Sequence, residues 1–187
     1  MNTYVVLLRG INVGGKNIVA MSDLKKCLED LGFFNVSTYI ASGNVILQSG
    51  QPADWVKARI EEALPRNFKL DSDLIKVLVL TRSQLQAVID NRPEGFGDQP
   101  DKYHCGAIFL IDLDAADAMA AFKPREGVDT VWQGRGVVYS QRLSAMRTKS
   151  RLNKIMESPL YKSMTIRNWN TTTRLLAILE ATAQEAV

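Results

Sequence analysis

Four short segments concentrate the residues that could do chemistry. The first, LLRGINVGGKN at residues 7–17, crowds Arg9, Asn12, Lys16 and Asn17 around Gly10, Gly14 and Gly15. Glycines there let backbone N–H groups turn toward an anion, and Lys16 supplies a point charge. The pattern is neither a Walker A loop nor the dinucleotide fingerprint, whose third glycine is missing. A tight strand-to-helix connection would ask for the same glycines. The second segment, Ser42-Gly43-Asn44, carries ordinary hairpin residues and joins a site only if it lies beside the first. The third, TIRNWNTTT at residues 165–173, sets Arg167, Asn168, Trp169, Asn170 and Thr171 where a strand gives way to a helix. Asn170 or Thr171 can cap that helix. Its N-terminus suits phosphate, Arg167 offers a bidentate fork, and Trp169 offers a face for a base or sugar unless it is buried. The fourth is a basic helix over about residues 148–157, where Arg147, Arg151 and Lys154 recur at helical spacing, with Leu152, Ile155 and Met156 inward. Residues 9–17 and 167–171 are expected to form one anion-accepting surface.

Scarcity excludes more than abundance does. The 187 residues include one histidine, His104, set in an apolar strand pattern, and two cysteines, Cys27 and Cys105, far apart. Zinc hydrolases, zinc deaminases and Ser-His-Asp hydrolases fit poorly, because general acid–base and zinc chemistry draw on histidine. Cys105 follows His104 directly, and strand neighbours point to opposite faces, which argues against a Cys–His pair. No metal-ligand spacing and no cofactor motif is present. Charge is uneven: residues 1–140 carry net −2, while residues 141–174 hold eight basic and one acidic residue, net +7. Such a stretch is an electrostatic footprint for phosphate or, equally, a solvated face. No apolar run approaches the ~20 residues of a spanning helix, and no signal peptide is apparent, so a cytoplasmic protein with no membrane partner is expected.

The elements that must position these residues follow from periodicity. A strand (residues 4–8), a helix opened by Ser22 with Leu24, Cys27, Leu28 and Leu31 on one stripe, and two strands (36–40 and 45–48) come first. A helix from Pro52 to about Leu64 and a strand over residues 74–80 complete β-α-β-β-α-β. Thr81-Arg82-Ser83-Gln84 reads as a capping box opening a connector helix. A loop over residues 91–102 follows, and then the same order recurs: strand 103–111, helix 114–122, a hairpin, the basic helix and a strand at 164–167. TYIASGNVILQ from Thr38 overlays TVWQGRGVVYS from Thr130 without a gap, as a duplication would leave it. The expected fold is α+β: two ferredoxin-like halves, residues 1–80 and 103–187, joined by residues 81–102 and ending in a helix over about 170–183.

The motifs LLRGINVGGKN, TYIASGNV and RNWNT, in that order, resemble the signature of a largely bacterial family, the domain of unknown function 1697. Ala20 departs from the proline many members carry there. The resemblance implies a soluble cytoplasmic protein of two ferredoxin-like α+β halves, and no reaction or catalytic residues. Three functions stay open: a module binding nucleic acid or a nucleotide, an enzyme acting on a phosphorylated or carboxylated small molecule, and a partner-binding protein without a ligand. Oligomeric state is not encoded in these patterns.

Overall fold

The computed structural model describes residues 1–72 and 75–184. The chain divides into two units, Met1–Gln86 with Arg174–Val187, and Ala87–Thr173.

In the first unit, β1 (Asn2–Arg9) is a β-branched and leucine-rich run that is buried on both faces. It leads into α1 (Met21–Asp30), β2 (Phe34–Tyr39), β3 (Asn44–Ser49), α2 (Ala53–Asn67), β4 (Lys76–Thr81) and α3 (Arg82–Asp90). The sheet order is β2-β3-β1-β4, all pairs antiparallel. Inserting β3 between β1 and β2, and β1 between β3 and β4, makes two split β-α-β crossovers, the ferredoxin-like arrangement. Tyr4, Val6 and Leu8 of β1, Val45 and Leu47 of β3, and Val77 and Val79 of β4 pack against Leu24 and Leu28 of α1 and Val56, Ile60 and Leu64 of α2. Ser22 does not cap α1. The helix already begins at Met21, and its cap position is Ala20, whose methyl cannot accept a backbone N–H. At the other end Gly32 N–H bonds Glu29 O and Phe33 N–H bonds Leu28 O, the Schellman closure. Leu74, expected to open β4, lies outside the described residues. The Thr81 box forms: Gln84 Oε1 accepts from Thr81 N–H at 2.9 Å, and Thr81 Oγ1 accepts from Gln84 N–H at 3.2 Å.

The second unit repeats the element order with β5 (Tyr103–Leu110), α4 (Ala115–Ala121), β6 (Asp129–Gln133), β7 (Val137–Leu143) and β8 (Met164–Asn168), and its sheet order is β6-β7-β5-β8. Here Asp114 caps α4 through its carboxylate. The crossover from β7 to β8 departs from expectation. In place of a basic α-helix it holds three 3₁₀ segments, Ser144–Lys149, Leu152–Glu157 and Pro159–Ser163. Ser150 and Ser158 are extended between them, and each serine oxygen accepts a backbone N–H two residues on. Such local bonds compete with the helical ladder, and Pro159 keeps Ser158 out of the α region. Arg147, Arg151 and Lys154 therefore share no continuous helix face. Ile155 is buried as expected, whereas Met156 is 58% exposed. α5 (Trp169–Gln184) begins in this unit and continues from Arg174 in the first. It starts at Trp169, so Asn170 and Thr171 lie inside its first turn and neither is its cap.

The two hairpins do not overlay without a gap. Leu8 N–H bonds Gly43 O, and Leu110 N–H bonds Gly136 O, so Gly43 matches Gly136, where the gapless overlay had Arg135. The turn between Tyr39 and Asn44 is one residue longer than that between Gln133 and Val137. A slip of one residue exchanges the two faces of a strand, so this match decides which side chains correspond.

Candidate anion-binding site

The first loop is built by its asparagines. Val13-Gly14-Gly15-Lys16 closes with Lys16 N–H on Val13 O at 3.0 Å, and both glycines have positive φ, 59° and 74°, as a type I′ turn requires. Asn12 Nδ2 donates to Val19 O and to Ala41 O, while its Oδ1 accepts from Val19 N–H. Asn17 Oδ1 accepts from the backbone of Asp71 and Ser72, and its Nδ2 donates to Gly10 O. Ser42-Gly43-Asn44 does lie beside this loop: Asn12 reaches Ala41 O, and a Cβ on Gly43 would stand 3.0 Å from Ile11. Asn44 is fully buried, donating to Tyr39 O and Ser42 Oγ. Asn12 and Asn17 thus spend their side chains on the backbone and Asn44 on its own hairpin, and Gly14, Gly15 and Lys16 form the exposed tip.

The second unit holds a pocket of about 160 Å³ where β8 stops before β5 does. The β5·β8 register ends at Gly106↔Asn168, so residues 103–105 of β5 pair only with β7. The chain turns there into α5. The pocket is lined by Tyr103, His104 and Cys105 from β5, by Asn168, Trp169, Asn170 and Thr171, and by Gly97 and Pro100 of the preceding loop. Trp169 is 8% exposed, edge-to-face with Phe96 at 5.0 Å, and forms a wall with little ring face left for a base. Gly97 abuts that wall: a Cβ there would lie 2.5 Å from the indole.

The same sheet face grades from apolar to polar toward this pocket. Leu110 and Met164 come first, then Val138, Ile108 and Ile166, then Ser140, Gly106 and Asn168, and last Asp129, Arg142 and His104. His104 is held below its ordinary pKa by partial burial and then by the positive charges of Arg142 and Arg147. Burial pushes the Cys105 thiol up, against a backbone contact from Gly97, and its Sγ donates to Gln141 Oε1 at 3.4 Å, which makes it a poor nucleophile.

Of the residues singled out by sequence, Asn168, Trp169, Asn170 and Thr171 converge on the pocket and Arg147 acts on it electrostatically. Arg167 does not line it. On the opposite sheet face from Asn168, it is 6% exposed, bonds Thr165 Oγ1 and Ile166 O, and has its pKa lowered to about 10 by burial. The backbone of Arg151 is tied to Asp129. Sequence reasoning missed Tyr103, His104, Gly97 and Arg142. The lone histidine was the available signal, but only the register shows Arg142 beside it. Among the described residues no group of three or more His, Cys, Asp or Glu is placed to hold a metal ion, and no helix is long and apolar enough to cross a membrane.

The fold and the notch define a class: an α+β protein of two ferredoxin-like halves with a small polar pocket where the last strand of the second half turns into a helix. Within that class, the model of the family described as "Protein of unknown function (DUF1697)" matches residues 1–139, and the chain belongs to this family. A search of solved structures finds the conserved bacterial protein SP0830 from Streptococcus pneumoniae, with 24% sequence identity and a TM-score of 0.79, covering 95% of this chain and 98% of that one. This likeness shows the fold. No curated protein matches the chain.

Proposed function

We propose that the protein is a binding module for a small ligand bearing a phosphate or carboxylate, taken up in the notch at the start of α5. The pocket carries this reading: residues 168–171 line it, and Arg142 and Arg147 bias its field. The positive dipole end of a 16-residue helix favours an anion there. Pockets for whole drug-sized ligands run from roughly 300 to 1,000 Å³. A volume of about 160 Å³ takes one oxyanion group and leaves the rest of the ligand outside. The burial of Trp169 favours a small ligand over a single-stranded nucleic acid that needs stacking platforms.

Isothermal titration at constant ionic strength tests this with inorganic phosphate, a nucleoside monophosphate and a short oligonucleotide. Phosphate should bind in roughly the millimolar range, as one charged group in a small site does, and Asn170→Glu, which sets a like charge on the exposed lining of the pocket, should abolish it. Absence of phosphate and nucleotide binding, or binding untouched by Asn170→Glu, would refute the notch. An oligonucleotide that binds far more tightly than the monophosphate, with steep salt dependence, would shift the reading to nucleic acid.

A further inference from the structure

Asp129, Arg142 and His104 are consecutive register partners across β6, β7 and β5 and therefore share one face of the sheet. Asp129 is 6% exposed; its Oδ2 accepts from Arg125 N–H at 3.0 Å and Arg151 N–H at 2.7 Å. Its Oδ1 is buried with no hydrogen-bond partner, and so is Nε of the facing Arg142. A carboxylate and a guanidinium thus oppose each other with a donor and an acceptor both unmade, a costly arrangement in a protein interior. The facing carboxylate leaves the bonding capacity of that Nε unused. Extending the β5·β8 register past Gly106↔Asn168 sets His104 level with Asn170, so the row ends at the pocket.

We propose that Arg142 is the group that grips the ligand's anionic oxygens, with Asp129 as its positioning residue and His104 as the link to the pocket. The inference rests on the anion-pocket reading above. The ligand chemistry it selects is a planar or tetrahedral oxyanion able to accept two parallel N–H bonds, which a guanidinium offers and an ammonium does not.

The test is a ¹⁵N NMR titration of the full chain with inorganic phosphate at constant ionic strength, the Arg142 Nε–H signal being assigned by its loss in Arg142→Lys. The signal should move along the same saturation curve as the Asn170 and Thr171 amides, and Arg142→Lys should weaken phosphate about tenfold or more, the scale of one charge-assisted bond. Asp129→Asn should shift the Nε–H signal even without phosphate. A carboxylate that only ties the loops would leave that signal in place, which would overturn the positioning role. If Asp129→Asn does not fold, the wild-type titration still decides the role of Arg142. Amides of Asn170 and Thr171 that titrate while the Arg142 signal stays fixed would overturn that role and leave the pocket standing. An Arg142 signal that moves without those amides would uphold the row and refute the pocket. No movement of either would overturn both.

Discussion

The two units share a sheet order and differ at one end of it. With Gly43 matched to Gly136, Leu8 corresponds to Leu110 and Tyr4 to Gly106, while Thr81 corresponds to Asn168. In the first unit Tyr4 fills this position. It is 2% exposed, packs in the core and donates its hydroxyl to Gln51 O. The helix that follows, α3, has the N–H of Gln84 in its first turn engaged by the Thr81–Gln84 box. In the second unit the corresponding residue is Gly106, where a Cβ would meet Ser140 Oγ at 3.3 Å, and the pocket opens one row further on, between His104 and the start of α5. One row further, the first unit pairs Asn2 with Ser49, and the second pairs His104 with Arg142. The same position in the frame holds an aromatic ring in one unit and a glycine in the other, with charged residues in the neighbouring row of the second.

The comparison can be broken at graded cost. Tyr4→Ala should destabilise most, by about 3–5 kcal/mol in urea unfolding, because a buried ring and its hydroxyl contact are lost together. A cost below roughly 1 kcal/mol would mean that Tyr4 does not plug the first unit. Gly97→Ala should cost roughly 2–4 kcal/mol, since its Cβ would collide with the Trp169 indole and its φ is +83°. The pocket wall would shift with it, seen as a change in tryptophan fluorescence. Asn17→Ala should cost about 2–3 kcal/mol by orphaning the N–H groups of Asp71 and Ser72, measured as a fall in the urea midpoint at unchanged slope. The smallest effect belongs to His104. Its folded pKa lies below 6.5, so the unfolded chain binds the proton more readily. Stability should therefore fall as pH drops through 6.5, levelling off once the folded-state pKa is passed, and His104→Gln should remove that slope. An unchanged slope in the variant would show that His104 is not responsible.

Much of this was legible in the sequence, for physical reasons. Long apolar periodic runs such as those of β1 and α2 declare themselves, and the Thr81 box follows from four residues alone. Local competition is harder to see. Ser150 and Ser158 break a segment whose charges recur at helical spacing, and the bonds responsible are made by side chains to nearby backbone. The hairpin overlay failed because identity at the turn cannot register a one-residue difference in loop length. Residues 168–171 stood out by composition. Arg142 and Asp129 did not, since their meaning arises only when three strands bring them into one row.

On the proposed reading the second unit, and not the glycine turn of the first, receives the anion. A crystal soaked in a heavy oxyanion such as tungstate tests it by anomalous scattering. A peak is expected within hydrogen-bond reach of the Asn170 and Thr171 backbone and of Arg142. A peak at Gly14 and Gly15 with none in the notch would overturn that placement.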